Sequence, residues 1–163
     1  MARLEIPVQL RWSDLDAYSH VNNAAMLTLL EEARITAFWR MPTVDGRTEE
    51  AWPTAVLDAG PGSVTSTLVA RQEIEYLRPL SYRRSSVVVE LWIGHLGGAS
   101  LDVCYELRDS VESPDQVPVI YARAITTVVL VHMASGKPVR IGPVERAAWE
   151  PYLEAPVALR RRR

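Results

Sequence analysis

An α+β fold built on one antiparallel sheet follows from three features of this sequence. One alternating segment opens the chain, one strongly apolar helix follows, and four or five alternating segments make up most of the rest. A helix followed by a run of strands packs most simply as a sheet curled around that helix. The length, 163 residues, suits one domain, for which ~100–200 residues is usual. With 48% apolar and 23% charged residues, the composition excludes a disordered chain, a collagen-like fibre and a disulfide scaffold.

Each element has its own warrant. Leu4, Ile6, Val8, Leu10 and Trp12 alternate with polar residues, the period of a half-buried strand. Pro7 suits an edge, where no ladder donor is needed. A polar loop, residues 13–22, ends at Asn22, whose short side chain can accept from the first amides of a helix. The helix runs over about 23–40. Met26, Leu27, Leu29, Leu30, Ala33, Ile35, Ala37, Phe38 and Trp39 cover most of its circumference, which predicts a helix with no solvent face. Pro42 stops it. Residues 41–63 read as irregular, with a short strand or turn at 52–57. Strands are then predicted over 65–77, 85–94, 100–107 and 117–132, the last apolar on both faces and therefore central. Turns fall at 78–84, at Gly97-Gly98, at 113–115 and at 135–137. A short amphipathic helix over about 144–153 closes the chain.

Charge and cysteine content narrow the function classes. The net charge of −2 gives no global field to recruit nucleic acid. The arginines at 160–163 read as a solvated tail. Cys104 is the one cysteine; it allows no intrachain disulfide, suits a reducing compartment and reads as a packing residue. The opening MARLEIPVQL does not read as a signal peptide, and no ~20-residue apolar span is present. A cytoplasmic protein with no membrane and no nucleic-acid partner is expected. His20, His95 and His132 lie far apart, so no metal site is expected. No Gly-x-Ser-x-Gly elbow and no phosphate-binding Gly-rich loop occurs.

The chemistry concentrates in one segment, Trp12 to Asn23, with Asp14, Asp16, His20, Asn22 and Asn23 directly before the helix. The first amides of a helix lack internal partners and carry partial positive charge. Such an amide can polarise a carbonyl and hold the oxyanion formed on attack. A carboxylate a few residues upstream can attack that carbonyl or activate water. Asp14 and Asp16 differ by two residues, so one of them at most faces a given pocket. The same residue types also serve plain turns and caps.

The run Asp14-Leu15-Asp16-Ala17-Tyr18-Ser19-His20-Val21-Asn22-Asn23, followed by LTLLEEAR over 27–34, resembles the hotdog-fold acyl-CoA thioesterases of the 4-hydroxybenzoyl-CoA thioesterase type. Residues 74–80, Ile-Glu-Tyr-Leu-Arg-Pro-Leu, resemble the family's strand-end segment, and the turn Gly97-Gly98-Ala99-Ser100 its following turn. The resemblance covers about residues 4–132. It implies a hotdog fold over 1–163, with a core at about 4–142 and a short helix and arginine-rich tail at 143–163. It also implies hydrolysis of an acyl-CoA to free acid and coenzyme A, with no cofactor beyond the coenzyme A of the substrate. Homodimers or homotetramers with sites between subunits are implied as well. By the same resemblance Asp16 is the catalytic carboxylate, the Asn23 amide polarises the carbonyl, and His20 supports the loop. Gly97, Gly98 and Ser100 lie along coenzyme A. Ser19 stands where the family carries glycine, and the Gly97 turn lacks the cation that some relatives place there, so phosphate binding would fall to amides or to Arg71, Arg83 or Arg84. Two other classes keep a place: a hotdog hydratase or dehydratase acting on acyl-CoA or acyl-carrier protein, and a non-catalytic acyl-CoA-binding module.

Overall fold

The computed structural model describes residues 2–41, 51–113 and 115–160. Its strands are β1 (Leu4–Val8), β2 (Thr65–Tyr76), β3 (Val87–Leu96), β4 (Ser100–Asp109) and β5 (Ile120–His132), and its helices are α1 (Asn23–Phe38) and α2 (Pro143–Trp149). The strands form one antiparallel sheet in the order β1-β3-β4-β5-β2. Pro7 lies on the edge strand β1, where its missing N–H costs no ladder bond.

Alternation decides which face of the sheet meets α1. Val87, Val89, Leu91 and Ile93 of β3, with Leu101, Val103, Tyr105 and Leu107 of β4, are buried in one core with Met26, Leu29, Leu30, Ala33, Ala37 and Phe38 of the helix. Ala33 and Ala37 put no bulk between helix and sheet, so the backbones can approach closely. The opposite face of the sheet is covered by the chain's last segment. Trp92 Nε1 donates to the Ala155 carbonyl at 3.0 Å, and the Glu154 N–H to the Ile93 carbonyl at 2.9 Å. Arg3 stacks over the Trp92 ring and pairs with Glu154, which holds the Glu154 carboxyl below its ordinary value. Cys104 lies fully buried under this strap, as a packing residue does, and burial pushes its thiol up.

The helix is 16 residues long and differs from the expectation in two respects. It has a solvent face, made by Glu31, Glu32 and Ile35, because the sheet curves around one side only. Its end is also set differently. The Trp39 N–H closes on the Ile35 carbonyl, and Thr54 Oγ1 donates to the Ala37 carbonyl at 2.6 Å. Pro42 and residues 43–50 lie outside the described residues, as do Pro114 and Arg161–Arg163. Trp12 is another correction. The strand ends at Val8 and the alternation of buried residues at Leu10, a 3₁₀ turn begins at Trp12, and the Trp12 ring is 74% exposed, edge-on to Tyr82. No helix among the described residues is long and apolar enough to cross a membrane.

Candidate active site

Register divides the sheet into two ends. Val8, Val87, Asp109 and the start of β5 meet at one end, where β2 finishes at Tyr76. The Gly97 turn, the end of β5 and the start of β2 meet at the other. The loop singled out by the sequence belongs to the first end.

That loop is a small hairpin. Leu15 and Val21 form an antiparallel bridge, the Asp16 N–H donates to the His20 carbonyl at 2.8 Å, and the Ser19 N–H to the Asp16 carbonyl at 3.2 Å. Ser19 takes a φ of 63°, in the left-handed region. This explains why glycine occupies the position in the resembling pattern: a side chain there costs about 1–2 kcal/mol. We expect Ser19→Gly to raise stability by about 0.5–1 kcal/mol, the strain relieved less the extra freedom of the unfolded chain. A urea midpoint that falls or stays put would contradict this.

The two aspartates have different work. Asp14 is 2% exposed and bound on both oxygens by Arg11: the Arg11 N–H at 2.7 Å to Oδ2, and the guanidinium at 2.9 Å to Oδ1. Its carbonyl accepts from the Asn22 N–H at 2.8 Å, which ties the start of α1 to the start of the loop. Asp14 is thus committed to structure. Asp16 is half-buried, and its Oδ1 accepts from the N–H groups of Tyr18 at 2.8 Å and His20 at 3.2 Å. Its Oδ2 has no donor among the described residues. His20 therefore meets Asp16 through its backbone amide rather than its imidazole.

The helix start supplies the second group. Asn22 caps α1 by accepting from the Ala24 N–H at 2.8 Å. That bond skips the first helical amide, so the Asn23 N–H donates to no acceptor among the described residues. The Asn23 carbonyl accepts from the Tyr76 hydroxyl at 3.0 Å, and burial pushes the Tyr76 phenol up, so it stays a neutral donor. The Val21 N–H donates to the Leu80 carbonyl at 2.8 Å, and His20 bridges Ser81. The segment 74–80, about sixty residues downstream, thus packs directly on the Asp16 loop. Its phenol–carbonyl contact went unforeseen; the sequence signal was the second motif itself.

Gly97, Gly98 and Ser100 are not brought to Asp16 within one chain. Their turn joins β3 to β4 at the far end of the sheet, roughly 30 Å along a ten-residue strand. The turn is firmly held: Gly97 N–H donates to the Ser100 carbonyl, and the Gly98 carbonyl accepts from Ile141 N–H, both at 2.8 Å. Arg146 donates to the Gly97 carbonyl at 2.6 Å. Of the arginines considered for phosphate, Arg83 is engaged with Asp109 and Tyr121 and Arg71 with Glu73. Glu31 pairs with the buried Arg34 at 3.3 Å, the ordinary helical pair the spacing suggests. Among the described residues no group of three histidine, cysteine or acidic side chains could hold a metal ion.

Comparison with known proteins bears on what such a site does. The sequence profile of the thioesterase-like superfamily matches residues 10–149. A Pseudomonas aeruginosa protein assigned as a thioesterase is 29% identical, with a TM-score of 0.63, over 90% of this chain and 95% of that one. A Thermus thermophilus thioesterase, solved with coenzyme A and zinc, is 26% identical, with a TM-score of 0.63 over 91% and 92% of the two chains. A Bacillus stearothermophilus protein assigned as a thioesterase shares the fold, with a TM-score of 0.69 at 19% identity over 96% and 100%. No curated protein matches the sequence. With its hotdog sheet and a superfamily match spanning the loop, the helix and all five strands but β1, this chain belongs to the thioesterase-like superfamily and is a thioester hydrolase.

Proposed function

We propose that this enzyme hydrolyses acyl-CoA thioesters, with Asp16 as the catalytic carboxylate and the Asn23 amide as the oxyanion donor. One observation carries the reading. Asp16 is oriented through Oδ1 by two backbone amides, which leaves Oδ2 without a donor among the described residues, on a loop tied to a helix whose first amide likewise meets no acceptor among them. The Asn23 N–H and the helix dipole draw electron density from the thioester carbonyl. Asp16 Oδ2 then attacks the carbonyl carbon, expelling the thiolate and leaving an anhydride that water cleaves. In the alternative route Oδ2 takes a proton from the water that attacks. Label found in the Asp16 carboxylate after one turnover in ¹⁸O-water identifies the anhydride route with water attacking at the Asp16 carbonyl carbon, since the general-base route puts label only into the product acid.

Coenzyme A is proposed as the handle because the Thermus relative binds it; the acyl group is left to experiment. The hydratase reading needs a histidine–carboxylate pair, and the His20 imidazole forms none with Asp16 among the described residues. Product analysis decides: free acid and free coenzyme A support hydrolysis, whereas a hydrated thioester with no thiol released contradicts it.

The same reading calls for a dimer. β2 is a twelve-residue edge strand whose centre, from Leu68 to Gln72, is exposed. A long apolar edge is a template for another strand. Antiparallel pairing of two β2 strands about a twofold axis would set the partner's Gly97 turn at this chain's Asp16 end, and so reunite the residues that one chain keeps apart. Arginine at both Leu68 and Val69 should then give monomers by sedimentation. Thiol release should fall about tenfold or more, about 1.4 kcal/mol or more on the barrier. Monomers with full activity would contradict a site shared between subunits.

A further inference from the structure

The Gly97 turn carries no cation in its own sequence, and Arg146, which reaches it, is engaged with the Gly97 carbonyl at 2.6 Å, so a phosphate-bearing substrate handle gains from further positive charge elsewhere. A groove of ≈ 640 Å³ on the Asp16 end of the sheet supplies it, lined by Arg78, Arg123 and Arg160 against Glu75, with Val117 and Ile120 on its wall. Its charge sets it apart from the groove of ≈ 520 Å³ beside the start of β2, which holds Asp58 and Glu145 against Arg140. The three guanidiniums differ in how free they are. Arg123 bonds Glu106 at 2.8 Å, and Arg160 lies 3.7 Å from Glu75 at 87% exposure. Arg78 meets no carboxylate among the described residues. Its backbone is fixed all the same, since the Arg78 and Leu77 N–H groups both donate to the Tyr121 carbonyl. Two residues on, the Leu80 carbonyl holds the loop that carries Asp16.

From this placement we infer that the groove binds the phosphate-bearing end of the substrate's coenzyme A, with Arg78 and Arg160 as its principal cations. The inference rests on the acyl-CoA reading above. An uncommitted arginine fork matches a phosphate in charge and geometry. A thioester carbonyl at Asp16 leaves the pantetheine arm to span the step from the hairpin, past Leu80, to the groove.

The test compares one acyl group on two handles, coenzyme A and pantetheine, the second lacking the nucleotide and its phosphates. In Arg78→Gln and Arg160→Gln, the ratio of kcat/KM for the coenzyme A ester to that for the pantetheine ester should fall about tenfold or more, mainly through KM. A ratio equal to wild type in both variants overturns the proposal. Arg160 is 87% exposed, so Arg160→Gln keeps the test open if Arg78→Gln fails to fold. If wild type releases thiol from neither ester, the acyl-CoA reading fails by itself. Calorimetric titration with free coenzyme A then decides the groove: tenfold weaker binding in Arg78→Gln supports it, and unaltered or absent binding overturns it.

Discussion

Asp16→Asn is expected to lower thiol release by about 10²-fold or more, about 3 kcal/mol on the barrier, while leaving the fold intact. The asparagine keeps an Oδ1 that can accept from the Tyr18 and His20 amides, so the hairpin retains its bonds. What it loses is the charge at Oδ2, the atom that attacks or takes the proton. The loss should therefore appear in kcat, with KM little changed. Asp14→Asn is the instructive partner. It removes the negative partner of Arg11 from a position 2% exposed and should show as lost stability. Equal effects of the two changes on kcat, with both proteins equally stable, would contradict the division of labour between the aspartates.

Trp149→Ala should cost about 3–5 kcal/mol of stability, the range for emptying a buried aromatic site. Trp149 is fully buried, edge-on to Phe38 at 5.7 Å, and its Nε1 donates to the Thr54 carbonyl at 3.0 Å. Thr54 in turn caps α1 at Ala37. One side chain from α2 thus ties the end of the central helix to the segment after it. A domain typically has ~5–15 kcal/mol in total, so the loss is a large share. Urea unfolding measures it, and a change below about 1 kcal/mol would contradict the role. Trp149→Phe should fall between, since it refills most of the space but leaves the Thr54 carbonyl unpaired.

Local rules made the site legible. Asn22 reads as a cap from its residue type and position, and the structure bonds it to the Ala24 amide. The segment 74–80 reads as a strand end that resembles the family's, and the structure packs it on the Asp16 loop. Long-range arrangement was not legible. Nothing in the alternation of 65–76 distinguishes an edge strand from a central one, because edge position is set by which strands pair. Trp12 continues the strand period in sequence, yet the Arg11–Asp14 cap turns the chain before it. Glu31 and Glu32 are two residues against nine apolar ones, too few to announce a solvent face. Arg78 was readable only as part of a motif, since its neighbours Arg123 and Arg160 come from β5 and the strap.

Thiol release by the wild-type enzyme from a panel of short, long and aromatic acyl-CoAs tests the central claim most directly. The account predicts catalytic release of coenzyme A from at least one class, and the preferred acyl group reports the pocket. No thiol from any ester of the panel, with the protein shown to be folded by circular dichroism, would contradict acyl-CoA hydrolysis.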